Sequence, residues 1–392
     1  MKSPQTRTMT VAGVMSGTSA DGIDVALVRI SPGKHKPRIK LLAHHAVGYP
    51  APLRRAVLAA MDTGQTSTAE LARLNWRLGV AYAEAVRAAV EKHRLKIDLV
   101  GCHGQTVYHQ SKSEPYAGRN IACTWQLGEP ALIGSEMHVP VVSNFRPADM
   151  ALGGQGAPLV PLLDYVLFAD TRRTRVLQNI GGIGNLTAIP AGGAPKDLIA
   201  FDTGPGNMVI DALMEQFFEK KYDRGGRVAA RGRVLKPIVK KVLREPFFVA
   251  RPPKSAGREQ FGAAFTASFA KACNNAGGKP DDAVATATAL TANSIALAFQ
   301  RFVKPLSQPG AVDYIISGGG SRNATLMKLL RECLDPLGCK ILLSDAMGVP
   351  SQAKEAVAFA LLAWQTWHRL PGNIPAATGA RRAAVLGEIC YG

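Results

Sequence analysis

The sequence predicts an α/β protein built as two related halves. Three observations carry this reading. A chain of 392 residues exceeds what one hydrophobic core usually fills. Apolar strands alternate with segments of helical spacing. A strand, glycine turn and strand occur near the start and again from Thr174. Apolar residues make up 47% of the chain and charged residues 19%, enough for two cores and too apolar for a disordered chain.

The first occurrence runs from Thr10 to Ile30. Val11-Ala12-Gly13-Val14-Met15 reads as a strand, Ser16 to Ile23 as a glycine-rich turn, and Asp24 to Ile30 as a strand with β-branched residues. Residues 38–49 add a third strand, 52–62 and 68–93 have apolar positions at helical spacing, and 97–102 and 139–145 are short apolar strands. The order restarts at 175–180, followed by Gly181-Gly182-Ile183-Gly184 and a strand over 185–189, so the chain reads as a duplicated unit. Residues 199–201 lead into Asp202-Thr203-Gly204-Pro205-Gly206-Asn207 and a helix over 208–219. A strand over 312–316 leads into Ser317-Gly318-Gly319-Gly320 and a helix from Asn323. A strand over 340–343 precedes a last helix over 350–368. The polar connection Ala169-Asp170-Thr171-Arg172-Arg173 marks the expected boundary, giving domains 1–172 and 173–392, with glycines at strand ends placing function at the carboxyl edges.

The formal charge of +18 first suggests a polyanion partner. The basic residues are spread out, with modest concentrations at Arg172-Arg173-Thr174-Arg175 and over 220–258, and few aromatics lie among them to stack on bases. A solvated basic surface is the expectation, with no nucleic acid and no membrane as partner. The six cysteines form no C-x-x-C pair and no zinc-like spacing with histidine, which reads as reduced structural thiols. Residues 1–10 lack the apolar core of a signal peptide and no apolar run has membrane-spanning length, so a cytoplasmic location is expected.

Gly17-Thr18-Ser19-Ala20-Asp21-Gly22-Ile23-Asp24 carries the most chemistry. Small residues let backbone N–H groups approach phosphate oxygens, and Thr18 and Ser19 add hydroxyl donors. An acid such as Asp21 or Asp24 beside phosphates requires a Mg²⁺ between them or a hydrogen bond to the turn; Asp21 is the expected metal ligand. Alone, the stretch is as compatible with a plain hairpin. No Walker-type loop and no dinucleotide-binding glycine turn is present. Gly181-Gly182 supplies a second candidate phosphate loop, and Gly318-Gly319-Gly320 a third, suited to phosphate or adenosine. Asp202, at the end of an apolar strand beside glycines, is the candidate general base, although an Asp there also suits a helix N-cap. Cys102-His103-Gly104-Gln105-Thr106 and Gly153-Gly154-Gln155-Gly156-Ala157-Pro158 read as substrate-facing loops, with His103 in a binding role. Glu355 is a charge on an otherwise apolar helix that either faces solvent or turns inward to a sugar hydroxyl. Ser351-Gln352-Ala353-Lys354 matches the S-x-x-K of acyl enzymes by chance, since no companion motif occurs.

In order along the chain, Val14-Met15-Ser16-Gly17-Thr18-Ser19-Ala20-Asp21-Gly22-Ile23-Asp24, Gly101-Cys102-His103-Gly104-Gln105-Thr106, Gly153-Gly154-Gln155-Gly156-Ala157-Pro158, Asn179-Ile180-Gly181-Gly182, Phe201-Asp202-Thr203-Gly204-Pro205-Gly206-Asn207, Pro253-Lys254-Ser255-Ala256-Gly257-Arg258-Glu259 and Leu370-Pro371-Gly372-Asn373 resemble the anhydro-N-acetylmuramic acid kinase family. The resemblance implies two related actin-like ATPase (ribonuclease H-like) domains flanking an ATP cleft. It also implies conversion of 1,6-anhydro-N-acetylmuramic acid, a product of cell-wall turnover, to N-acetylmuramic acid 6-phosphate with ATP and water. It makes Asp202 the base that deprotonates the ring-opening water, 17–24 the ATP segment, and Arg146 and Glu355 sugar contacts, beside His103 and Gln105 of the loop already read as substrate-facing. Where the family commonly has an arginine run, this chain has Arg146-Pro147-Ala148. The expected partner is thus the small sugar, with ATP and Mg²⁺ as cofactors and a homodimer as the assembly considered. Two other readings stand beside it: a kinase for an ordinary amino sugar such as N-acetylglucosamine, and a basic nucleic-acid-binding protein.

Overall fold

The computed structural model describes residues 7–62, 66–307, 312–344, 350 and 352–392; Ser351, first residue of the chance S-x-x-K match, lies outside them. Contacts divide the chain into two units, one formed by residues up to Leu167 together with Gln352–Gly392, the other by Phe168–Ser351. In chain order the strands are β1 (Met9–Met15), β2 (Gly22–Ser31), β3 (Arg38–Gly48), β4 (Leu99–Cys102), β5 (Gln105–Tyr116), β6 (Arg119–Leu127), β7 (Val141–Ser143), β8 (Thr174–Ile180), β9 (Ile183–Ile189), β10 (Ile199–Pro205), β11 (Val312–Ser317), β12 (Cys339–Leu343) and β13 (Glu388–Cys390).

The first unit holds a six-stranded sheet in the order β13-β7-β4-β1-β2-β3. β1, β2 and β3 form an antiparallel meander, and β4 and β7 run parallel to β1. Strand side chains alternate between faces. Ala12 and Val14 join Leu74, Leu78, Tyr82 and Val86 of the helix Thr68–His93 in one core. That helix starts at a capping box in which Ser67 and Glu70 satisfy each other's backbone N–H groups. On the opposite face Gly13 and Gly101 lie side by side in register. A Cβ on Gly13 would stand 1.8 Å from the Ala356 carbonyl oxygen, and one on Gly101 2.3 Å from that of Phe359. Two bare backbones therefore admit the helix Lys354–Trp367 directly onto the sheet, where Ala356 through Thr366 are all buried.

The second unit holds a five-stranded sheet in the order β10-β9-β8-β11-β12. Here β8, β9 and β10 form the antiparallel meander, and β11 and β12 run parallel to β8. This is the strand order of β3-β2-β1-β4-β7 repeated, and it bears out the duplication read from the glycine turns. The helices Pro280–Ala298 and Ala324–Leu334 cover the sheet with Val176, Leu186, Tyr314 and Ile316 in its core. Pro280–Leu306 is long and apolar enough to cross a bilayer, and 78% of its apolar window is buried inside the protein, as in a core helix.

Two differences from the sequence expectation matter. Residues 352–392, expected in the second half, pack in the first unit, because the helix Lys354–Trp367 closes the glycine face of β1 and β4 and β13 pairs with β7. The stretch after His103, expected as a loop, is the two-stranded β5–β6 hairpin. Its turn places Ala117 and Gly118 at φ +48° and +80°, the sequential positive values of a tight hairpin turn.

Candidate functional site

In the first unit β1, β4 and β7 are parallel, so the segments following them leave the same sheet edge. The segment after β1 is the glycine hairpin. The side chains of Thr18 and Ser19 are exposed, and a Cβ on Gly17 would meet only the Ser19 hydroxyl, at 3.7 Å. Ala20 takes the left-handed conformation at φ +52° while its N–H donates to the Gly17 carbonyl. Ala20 and Ile23 are buried in the core, so their side chains pack and only their backbones can face a ligand. Gly22 is set by strand pairing, since a Cβ there would stand 2.2 Å from the Val47 carbonyl. Asp21 is exposed, with Arg54 at 3.8 Å. Asp24 is engaged by His44 Nε2 at 2.8 Å. Asp21 is thus the more accessible hairpin carboxylate, carrying only an exposed ion pair with Arg54, whereas Asp24 is committed to His44.

Gln105, expected at the sugar, is buried with both ends of its amide occupied. Its Nε2 donates to the Gly17 carbonyl at 3.1 Å and its Oε1 accepts from Tyr49. This makes it an anchor of the hairpin. Ser16 is tied to the same network through Tyr82 at 2.7 Å.

Arg146, after β7, donates from Nε and Nη2 to His103 Nε2 at 3.1 and 2.8 Å and from Nη1 to the Gly156 carbonyl at 2.7 Å. Burial, with the Arg146 cation adding to it, holds His103 well below the ordinary histidine range. His103 is therefore the neutral acceptor that orients Arg146. Burial also lowers the guanidinium to about 10, opposed by Glu355 and Asp149. Glu355 keeps solvent access. Partial burial raises its carboxyl, with Arg146 opposing and Asp24 reinforcing the shift. The Gly153–Gly156 turn is held by buried Asp149, which accepts from Gly156 N–H, Asn373 Nδ2 and the Thr378 hydroxyl at 2.8, 2.6 and 2.7 Å.

In the second unit β8, β10 and β11 point the same way, and the three expected segments meet at their carboxyl ends. Gly206, Asn207 and Met208 donate backbone N–H groups to the carbonyls of Gly181 and Gly182. Gly318, at φ +84°, packs on Asn179, and Gly320 packs on Ile180. Those two glycines answer to packing, while Gly181, Gly182 and Gly319 keep open faces suited to backbone approach by a phosphate.

Asp202 lies where the pairing of β9 and β10 shifts between Asp202 and Gly204. Its Oδ2 accepts from Ala256 N–H at 2.7 Å, and its own N–H donates to the Lys254 carbonyl at 3.0 Å. Burial raises its carboxyl to about 6. The Ala256 N–H and the Lys254 cation oppose that rise, and Glu259 adds to it. An acid held there is ionised at neutral pH yet basic enough to take a proton. No helix-capping bond is made by Asp202, and Asn207 precedes the next helix. Lys254 and Ala256 had no individual role in the sequence reading; the only signal was their place in the Pro253–Glu259 match.

The duplicated five-strand order, with a glycine turn after the first strand of each copy, defines a protein of two related α/β units. The chain belongs to the anhydro-N-acetylmuramic acid kinase family, whose model matches residues 9–392. It is 42% identical over 386 residues, 98% of this chain and 99% of the relative, to the anhydro-N-acetylmuramic acid kinase of Bacillus cereus strain AH187. The same figures hold for that of Bacillus thuringiensis subsp. konkukian strain 97-27. Among solved structures, similarity to the activator of 2-hydroxyisocaproyl-CoA dehydratase from Clostridium difficile with bound ADPNP covers 91% of this chain and 95% of that one, at 13% identity and a TM-score of 0.41, too distant to add to the assignment.

Proposed function

We propose that this kinase uses ATP and water to convert 1,6-anhydro-N-acetylmuramic acid to N-acetylmuramic acid 6-phosphate, with Asp202 as the general base. The observation that carries the base assignment is the Asp202 carboxyl, oriented by Ala256 N–H and held at about 6. Asp202 takes a proton from water, and the water oxygen bonds to C1. The C1–O6 bond breaks with its electron pair going to O6, and O6 bonds to the γ-phosphorus of ATP as ADP leaves. Breaking the bridge generates the acceptor oxygen, so one base serves both events.

Within the first unit the segment proposed for ATP is Gly17 to Ser19, through its backbone and hydroxyls; within the second, taken by itself, the open glycines Gly181, Gly182 and Gly319 are proposed to take a phosphate. Mg²⁺, when bound with the phosphates, supplies charge neutralisation for phosphoryl transfer. Asp21 is the proposed protein ligand, as the exposed carboxylate of the hairpin proposed to hold the phosphates. Arg146, oriented by His103, and Glu355 are the proposed sugar contacts.

Asp202→Asn is expected to leave ATP affinity nearly unchanged and to lower turnover by roughly three orders of magnitude or more, as for loss of an essential acid–base group. Single turnovers in ¹⁸O water followed by mass analysis should place the label at C1 of the 6-phosphate. Label absent from the sugar, or an active Asp202→Asn enzyme, would sink the mechanism.

A further inference from the structure

We infer that Lys254 is the positioning residue for the catalytic base, an inference that rests on Asp202 being that base: its ammonium ties the segment 254–256, whose backbone pairs with Asp202, to the helix Pro246–Val249.

The geometry closes a ring around Asp202. Lys254 Nζ donates to the carbonyls of Phe247 and Phe248 at 2.9 and 3.4 Å. These are free carbonyls at the end of a four-residue helix, groups that a lysine commonly satisfies. The ammonium also stands 4.7 Å from the Phe247 ring centre, 5.2 Å from Phe302 and 5.7 Å from Phe201, within cation–π range. Phe248 in turn packs on Gly204, where a Cβ would lie 2.8 Å from its ring, two residues from Asp202. The Lys254 carbonyl accepts the Asp202 N–H, and two residues on, Ala256 N–H donates to the carboxylate. Freeing the ammonium therefore frees the strap that aims the base.

A lysine sheltered by three phenyl rings is not needed for solubility or for packing alone; an apolar chain would fill such a place with less desolvation. Its charge is what the site retains. Burial and the charge of Arg301 lower the Lys254 ammonium to about 8, while Asp202 opposes that fall. The charged groups acting on Asp202 are Lys254 and Glu259, with opposite effects.

The test is the pH profile of kcat/KM for the anhydro sugar in full-length wild type, Lys254→Met and Lys254→Arg, with ATP affinity measured in parallel. Wild type should lose activity as pH falls through the Asp202 carboxyl, and that acid limb should be absent in Asp202→Asn. Lys254→Met should leave ATP binding unchanged, lower kcat/KM by up to about a hundredfold through misplacement of the base, and move the acid limb upward by roughly one pH unit as the opposing cation is lost. Lys254→Arg should return the limb to its wild-type position. A Lys254→Met limb at the wild-type position, or an arginine variant shifted as far as the methionine one, overturns the inference.

If Lys254→Met does not fold, NMR titration of the Lys254 amine decides. Because coupling is reciprocal, that amine must titrate lower in Asp202→Asn than in wild type, and an unchanged titration overturns the inference. A wild-type profile with no acid limb, or an active Asp202→Asn enzyme, would instead reject Asp202 as the base, whatever Lys254 does.

Discussion

At the scale of single residues, the burial that raises the Asp202 carboxyl opposes folding. A carboxyl raised from 3.8 to about 6 is disfavoured as an anion by an energy on the order of 3 kcal/mol at neutral pH. Asparagine keeps an acceptor for Ala256 N–H and carries no charge, so Asp202→Asn should raise the melting temperature of the inactive protein by roughly a few degrees. The sign with pH follows from the raised value. Between about pH 4 and 6 the folded state binds the extra proton, so the wild-type penalty is present above 6 and relieved on acidification. The advantage of the asparagine variant in thermal unfolding should therefore grow from pH 4 to pH 7; an advantage independent of pH would refute this account. The sequence marked Asp202 as the end of an apolar strand, a place that also suits a helix N-cap; the structure sets it inside β10, where the pairing with β9 shifts. Lys254 was not legible, because its partners are two backbone carbonyls and three rings brought together by packing. Gln105 was misread for a related reason: a polar residue after a histidine looks ligand-facing until Gly17 and Tyr49 occupy both ends of its amide.

At the scale of elements, glycine decides where a helix can approach a sheet. Gly13 and Gly101 are register partners, and each faces a carbonyl of the helix Lys354–Trp367. Gly13→Ala puts a methyl against helix backbone that cannot rotate away, so it should destabilise the first unit by about 1–3 kcal/mol, near the upper end. Gly101→Ala should act in the same direction, and the double variant should depart from additivity because both displace one helix. Urea unfolding of the three variants checks this, and wild-type stability in Gly13→Ala would refute it. The sequence showed Gly13 inside a strand without showing what approached it. Helix legibility divided along the same physical line. Thr68–His93 matched its expected range because one face is buried and one is wet, which imposes the helical period. Pro280–Ala298, buried around most of its circumference, has no such contrast and escaped the reading, although Pro280, Asp281 and Asp282 stand at its start as helix-opening residues do.

At the scale of the whole molecule, the repeat was visible because glycine turns follow the first strand of each copy, and the return of the chain to its first unit was not. An apolar helix reads the same whichever sheet it covers; the choice is made by Gly13 and Gly101, far away in sequence. The tail does more than cover a sheet. Asn373 and Thr378 hold the Asp149 carboxylate that fixes Gly156, Gly156 carries the carbonyl that Arg146 grips, and β13 extends the sheet at β7. Residues 352–392 should therefore be needed by the first unit and dispensable to the second. A chain ending at 351 leaves the glycine face of β1 and β4 bare and should aggregate on expression. Residues 168–351 alone, with their own two buried clusters, should stay soluble and unfold cooperatively. Supplying 352–392 as a separate chain during expression should restore soluble 1–351. A soluble, cooperatively folding 1–351 without that help would show that the tail is an accessory to the first unit rather than part of its core.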